Sequence, residues 1–340
     1  MSASASSSST MHTMRALLLE SANGLFVSRQ VPRPLAGPGQ VLVEIAASGV
    51  NPLDTKIRAG AAAHAKHPLP AVLGMDLAGV VRAVGAGVDR FRVGDEVYGL
   101  TGGVGGLQGS LAEYAAIDAD LLARKPANLS MREAAALPLV VITAWEGLAD
   151  RAKTHAGQKV LVHGGAGGVG HVAVQIAKAL GAEVFATVSP DQFEIARRFG
   201  ATPIDRTSAT VEDYVTQHTG GEGFDVIYDT VGGAVLDASF KAVRPYHGHV
   251  VSALGWGTHA LAPLSFRAGT YSGVFTLLPM LTGRGRARHG EILEAAAKLV
   301  ESGQLAPMMD ERRFTLDSAL EAHDLVATGK PRGKVVVDVR

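Results

Sequence analysis

The 340-residue chain contains no cysteine. Disulfides, thiolate metal sites and a cysteine nucleophile are thereby excluded. Net charge is missing as well, because 32 Lys and Arg residues balance 32 Asp and Glu. No global field draws in nucleic acid or anionic lipid. Aromatic residues make up only 5% of the chain, a poor stock for stacking bases. No apolar run approaches the ~20 residues that a membrane helix needs. The first thirteen residues, MSASASSSSTMHT, have neither a basic start nor an apolar segment, and the first arginine is Arg15. They fit neither a secretory signal nor a transit peptide. Residues 1–13 read as a flexible leader, with the fold beginning near Met14.

What is present is a soluble globule, 47% hydrophobic and 19% charged, with ample core. Its length exceeds the usual limit of one core and predicts two domains. From Met14 to about residue 137, short apolar runs alternate with Gly and Pro, as in QVLVEIAASGV (40–50), MDLAGVVRAVGAGV (75–88) and VGDEVYGL (93–100). That texture predicts a mostly β domain, a small barrel. Residues 131–152 then read as helix, broken at Pro138. Beyond them strands and helices alternate. Strands are expected at QKVLVHG (158–164), AEVFATV (182–188), TPID (202–205), FDVIYDTV (224–231) and HVVSALG (249–255). Such alternation predicts a parallel, doubly wound sheet. A loop with Arg284, Arg286 and Arg288 follows, then a helix over 290–305. The last strand, GKVVVDV (333–339), is expected to return to the β domain.

Five glycines fall within Gly164–Gly170. Gly165-x-Gly167-x-x-Gly170 directly follows a strand and opens a helix over 168–180, the context of a dinucleotide site. The first glycine is expected to permit the tight turn, and the second to admit a pyrophosphate. The third is expected to let helix and strand pack, while the helix N-terminus donates N–H groups to the phosphates.

From Met14 onward the chain resembles the zinc-independent medium-chain dehydrogenase/reductases of the quinone oxidoreductase (zeta-crystallin-like) family. GQKVLVHGGAGGVGHVAVQIAK (157–178), with Gln175 and Lys178 beyond the last glycine, carries most of the resemblance. GVNPLDTKIRAG (49–60), LPLVVITAWEGL (137–148), VIYDTVGG (226–233) and PRGKVVVDV (331–339) support it. The resemblance implies an α/β architecture with a GroES-like β-barrel catalytic domain at 14–135, completed by 280–340. A Rossmann doubly wound parallel sheet at 136–279 would bind NADP(H) in the cleft between them. It further implies a cytoplasmic homodimer. Asn51 and Thr143 would border the nicotinamide and the substrate. Cofactor contacts would come from Gly165, Ala166, Gly167, Gly168, Val169, Gly170, Ser189, Arg206, Val231, Ala253, Leu254 and Lys334.

Cofactor choice rests on the second strand, which ends Thr187-Val188-Ser189 without the carboxylate that grips a ribose 2′-hydroxyl in NAD-specific sites. Glu183 lies at the wrong end, and Asp191 belongs to the next helix. NADPH is therefore expected, with Arg206 as the cation for its 2′-phosphate or else as a solvated surface arginine.

Zinc-dependent relatives place a His beside a Glu in the segment matching LGMDLAGVV (73–81), with cysteines nearby. Met75 and Asp76 stand there. The pairs His64/His67 and His247/His249 each lack a third ligand, so no metal is expected. Without a Lewis acid, hydride transfer favours acceptors that spread the developing charge, namely quinones and α,β-unsaturated carbonyls. Neutral donors can steady the oxygen while water delivers the proton. Asn51 and Thr143 fit as such donors. Their plainer roles are a turn with Pro52 and a hydroxyl bonding its own helix. Asp54 reads as a turn or structural carboxylate. Lys56 stands where many relatives carry a tyrosine, and Tyr98 or Tyr271 could supply the phenol instead, or simply pack. Two other functions fit the sequence: an enone or 2-alkenal reductase without quinone activity, and a crystallin-like NADPH-binding protein with a minor RNA-binding role. The three arginines at 284–288 are the one local basic cluster.

Overall fold

The computed structural model describes residues 12–340. Most of the expected leader, residues 1–11, lies outside the described residues. Thr13 already opens the first strand, one residue ahead of the expected start.

The N-terminal part is antiparallel. Its strands are β1 (Thr13–Leu19), β2 (Phe26–Pro32), β3 (Gln40–Val50), β4 (Ala71–Val72), β5 (Asp76–Val84), β6 (Glu96–Leu100), β7 (Tyr114–Asp118) and β8 (Leu122–Arg124). Strand β3 is central, flanked by β5 and β7, and eight of its eleven positions are buried.

Residues 159–273 form the second layer. Here β9 (Lys159–His163), β10 (Glu183–Val188), β11 (Thr202–Asp205), β12 (Val226–Asp229), β13 (His249–Ser252) and β14 (Thr270–Gly273) pair in the order β11-β10-β9-β12-β13-β14. Every pairing is parallel. That is the doubly wound order, with its switch point between β9 and β12. The short runs are apolar at nearly every position because helices cover both faces. In β9, Val160 and Val162 join the large core shared with the β layer, whereas Leu161 joins the smaller core on the opposite face with Phe185, Phe224 and Phe240.

The chain then returns. β15 (Phe314–Thr315) and β16 (Val335–Asp338) extend the first layer, with β16 antiparallel to β3 from Val335↔Val50 to Asp338↔Ala47.

Three helical features position the cleft. α1 (Pro52–Arg58) starts right after β3, with Asn51 as its N-cap. α2 (Met131–Ala135), opened by a Ser130–Glu133 capping box, and α3 (Pro138–Trp145) are separated at the expected proline. α3 runs on into a π-helical turn, Glu146–Arg151. At that junction the Tyr228 hydroxyl donates to the Thr143 carbonyl at 2.7 Å, and Gly147 leaves room for the tyrosine ring. α4 (Gly170–Ala179) follows the glycine loop. The expected arginine loop is shorter than its sequence suggests, because Arg286 opens a 16-residue helix, Arg286–Glu301. Among the described residues no helix is long and apolar enough to cross a membrane.

Candidate active site

The glycine loop divides its labour differently from the sequence expectation. The left-handed turn belongs to Gly164, at φ +71°, and not to Gly165. Gly165 is needed for packing, since a Cβ there would lie 2.5 Å from the Cβ of Ala186 on β10. At Gly170 a Cβ would meet the Gly164 carbonyl oxygen at 2.0 Å, so the loop folds over its own backbone. Ala166 is buried, whereas Gly167 and Gly168 are exposed. Gly168 faces open space, with nothing nearer to a Cβ than the Lys334 and Val140 side chains at 3.9 Å. The Gly167 N–H is used on the Gly164 carbonyl at 2.9 Å, but no hydrogen bond engages the amides of Gly168 and Val169 among the described residues. Two free donors at the N-terminus of α4, beside a surface without side chains, suit a pyrophosphate.

This helix also anchors a distant segment. His171 Nδ1 lies 2.9 Å from the Gly167 carbonyl, and its Nε2 accepts from the Met308 amide at 3.2 Å. Burial pushes this imidazole down to about 4, which keeps it in the neutral form that both bonds require. Gln175 exchanges two hydrogen bonds with Ala306, at 3.0 and 2.9 Å. The 306–310 segment thus held pairs in turn with Lys334, whose amide donates to Met308 and whose carbonyl accepts from Asp310.

Lys334 runs inward and is 5% exposed. Its ammonium donates to the Asn51 side-chain oxygen. The Asn51 Nδ2 donates to Asp76 at 2.9 Å, and the Leu139 amide donates to the other Asp76 oxygen at 2.9 Å. Asp54 completes the cluster by accepting from the Asn51 amide at 2.8 Å. Its second oxygen is buried without a partner among the described residues. Burial pushes Asp54 up to about 7 and Asp76 up to about 6, while it pulls Lys334 down. Asn51 therefore offers the cleft one remaining N–H rather than a free amide.

Thr143 is committed too. Its hydroxyl donates to Leu139 O at 2.6 Å, the helix-bonding role, and can only accept from Thr276 Oγ1 at 2.9 Å. Tyr98 is a packing residue, with its hydroxyl on the Leu293 carbonyl at 2.6 Å. Tyr271 is partly exposed, and Lys56 points outward.

The far rim is built by strand ends. Asp229, at the tip of β12, accepts from the Val231 and Gly232 amides and from Ser252 Oγ, which in turn accepts from the Leu254 amide. The Ala253 amide bonds the Asp229 carbonyl at 3.1 Å. Sequence reasoning named Val231, Ala253 and Leu254 but missed the carboxylate that shapes their turns. Ser189 caps the short turn after β10. The exposed Arg206 is tied to that tip by its amide, which donates to Val188 O at 3.0 Å. The neighbouring Asp205 carboxylate is turned back onto Thr207 and Ser208.

Comparison with known proteins agrees with this geometry. Residues 37–127 match the alcohol dehydrogenase GroES-like domain, and residues 199–337 match a zinc-binding dehydrogenase model. The chain is 39% identical over 306 residues to the 2-methylene-furan-3-one reductase of Solanum lycopersicum, covering 88% of this chain and 71% of that one. Over 306 residues it is 36% identical to the chloroplastic NADPH-dependent alkenal/one oxidoreductase of Arabidopsis thaliana, covering 88% and 72%. Among solved structures, an alcohol dehydrogenase superfamily protein from Novosphingobium aromaticivorans superimposes with TM-score 0.94 at 60% identity, covering 96% of this chain and all of that one. The quinone oxidoreductase from Coxiella burnetii gives 0.80 at 29%, covering 97% and 100%. The chain belongs to the zinc-independent medium-chain dehydrogenase/reductases of the quinone-oxidoreductase type. It is an oxidoreductase.

Within this family the fate of the zinc-ligand place is clear. Met75 is buried in the core, and the Asp76 carboxylate is spent on Asn51 and the Leu139 amide. His64 packs at a tilt against Trp256, His67 Nδ1 accepts from the Gly106 amide, and His249 bonds Ser272. Among the described residues no group of three or more His, Cys, Asp or Glu is placed to hold a metal ion. The basic cluster is neutralised in part, Arg286 by Asp118 and Arg288 by Asp150 and Glu291.

Two outcomes follow from these contacts. Gly165→Ala should cost about 1–3 kcal/mol through overpacking against β10, whereas Gly168→Ala should stay within about 1 kcal/mol of wild type. Equal denaturant midpoints for the two would contradict the division of labour. Asp54 carries the opposite pH sign from a surface carboxylate. Its raised pKa means that it favours the folded state fully at low pH and loses this contribution as pH rises through about 7. Asp54→Asn keeps an oxygen for the Asn51 amide and removes the ionisation. Melting temperatures between about pH 5 and 8 should then fall less steeply than in wild type, and parallel curves would refute the buried-acid assignment.

Proposed function

We propose that this oxidoreductase reduces quinones or other α,β-unsaturated carbonyl compounds with NADPH and without a metal ion. The observation that carries the reading is the adjacency of the open glycine loop to a cluster in which Lys334, Asn51, Asp76 and Asp54 satisfy one another. The loop fits a dinucleotide, with two free amides and no side chain over Gly168. A reduced nicotinamide bound there supplies a hydride. The chain's own groups would hold the cofactor, and they offer few donors to a reacting oxygen. Asn51 has one N–H left, and Thr143 has spent its proton. An acceptor that delocalises its own charge matches such a site. The names of the Solanum and Arabidopsis relatives point to the same substrates.

NADPH is favoured because β10 itself ends Thr187-Val188 without a carboxylate, while the exposed Arg206 is tethered beside that tip by its amide. The decisive assay follows cofactor oxidation with a quinone and an enone in excess chelator. Activity should persist, with NADPH preferred over NADH. Arg206→Ala should lower kcat/KM for NADPH about tenfold and that for NADH less than about twofold, as for loss of one charge-assisted contact. Zinc-restorable loss in chelator would refute the metal-free reading. Equal losses for both cofactors would remove Arg206 from the phosphate site.

The homodimer belongs to the same proposal. Among the described residues strand β14 has no neighbour beyond β13, and Phe266 nearby is 88% exposed, an edge suited to pairing with its symmetry mate. Sedimentation should give twice the chain mass, and a Gly273→Pro chain, which loses an N–H on the free side of β14, that still sediments as a dimer would exclude this edge.

A further inference from the structure

The C-terminal ends of β13 and β14 face the short helical turn Ala63–Ala65 of the β layer across a groove of ≈ 440 Å³, a size suited to one small ligand. Ser252 and Ala253 form its inner end, and Trp256, Phe275, His64 and Tyr271 form its walls. In a chain with two tryptophans and few aromatics, three rings converge here. The centroids of His64 and Trp256 are 5.0 Å apart at an interplanar angle of 36°, and Phe275 meets the indole edge-on at 6.3 Å and 87°. The indole is nevertheless 54% exposed, so this side of the cluster is unfilled.

The polar contribution is equally specific. The Tyr271 hydroxyl has no hydrogen-bond partner among the described residues. It reaches a position 2.2 Å from where a Cβ of residue 255 would stand, so Gly255 is what gives the phenol access. The groove's lining adjoins the candidate site, because Phe275 precedes Thr276, which touches Thr143, and Ser252 bonds Asp229.

We propose that Trp256, together with His64, is a specificity-determining platform that selects planar, ring-bearing conjugated carbonyls over short open-chain alkenals. A flat ring lies on the indole face, fills the gap bounded by His64 and Phe275, and turns a carbonyl oxygen to the Tyr271 hydroxyl. A short alkenal has no face to offer and reaches only part of the wall. The proposal rests on the reduction of conjugated carbonyls put forward above.

The test separates binding from turnover. Trp145→Phe leaves Trp256 as the sole indole, and this protein is titrated without cofactor by 1,4-naphthoquinone, with N-acetyltryptophanamide as the absorbance control. Saturable quenching beyond that control is expected, and quenching that stays linear overturns the proposal. In steady state, Trp256→Leu should raise KM for naphthoquinone about tenfold, with KM for a six-carbon 2-alkenal and for NADPH within about twofold. Trp256→Phe should restore most of the loss. Equal effects on both acceptors, or no rescue by Phe, would reduce Trp256 to a packing residue. Saturable quenching without turnover of any acceptor would support the platform while refuting the reductase reading. Turnover with linear quenching would do the reverse.

Discussion

The buried ammonium of Lys334 is the constraint on which the arrangement depends. A charge taken out of water is tolerated only among partners, and these come from two separate parts of the chain: Asn51 and Asp54 at the start of α1, and Asp76 at the start of β5. Satisfying it brings β16 against β3 and fixes the orientation of the Asn51 amide. It also lays the aliphatic stem of the lysine beneath the glycine loop. From the other side, His171 and Gln175 hold the 306–310 segment that pairs with Lys334. The glycine loop and the β layer are therefore one mechanical unit, joined through a residue of the C-terminal return.

Much of this was legible in the residues because it is local. Apolar runs such as VLVH and FATV become parallel strands, and the break before Pro138 follows from the missing N–H and ring of proline. The glycine cluster marks the loop between β9 and α4. Which glycine does what was not legible. The spacing motif cannot distinguish a position that needs a positive φ, Gly164, from one that needs an absent Cβ, Gly165 facing Ala186. That distinction depends on a neighbouring strand.

The same reason hid the charge cluster. Asp54 follows a turn and looks like a cap, which it is. Nothing in its neighbourhood announces that Asp76 and Lys334 will be buried beside it. Thr143 illustrates the opposite case. Its plainer role, bonding Leu139 four residues earlier, was available from helix geometry alone, and the family-based role overlooked where the hydroxyl proton goes. Trp256 carried no signal, because its partner His64 lies nearly two hundred residues away, in the other layer. Arg286 and Arg288 looked like a basic patch only while Asp118 and Asp150 were invisible beside them.

Placing β16 beside β3 sets an order of assembly during synthesis. Lys334 leaves the ribosome 283 residues after Asn51. The parallel sheet, whose strands all lie within residues 159–273, is complete in the nascent chain well before then. The layer made first must wait with one flank of its central strand unpaired and two acidic side chains lacking their counter-ion. Within this chain the β layer thus takes its last strand only after the parallel sheet has been made.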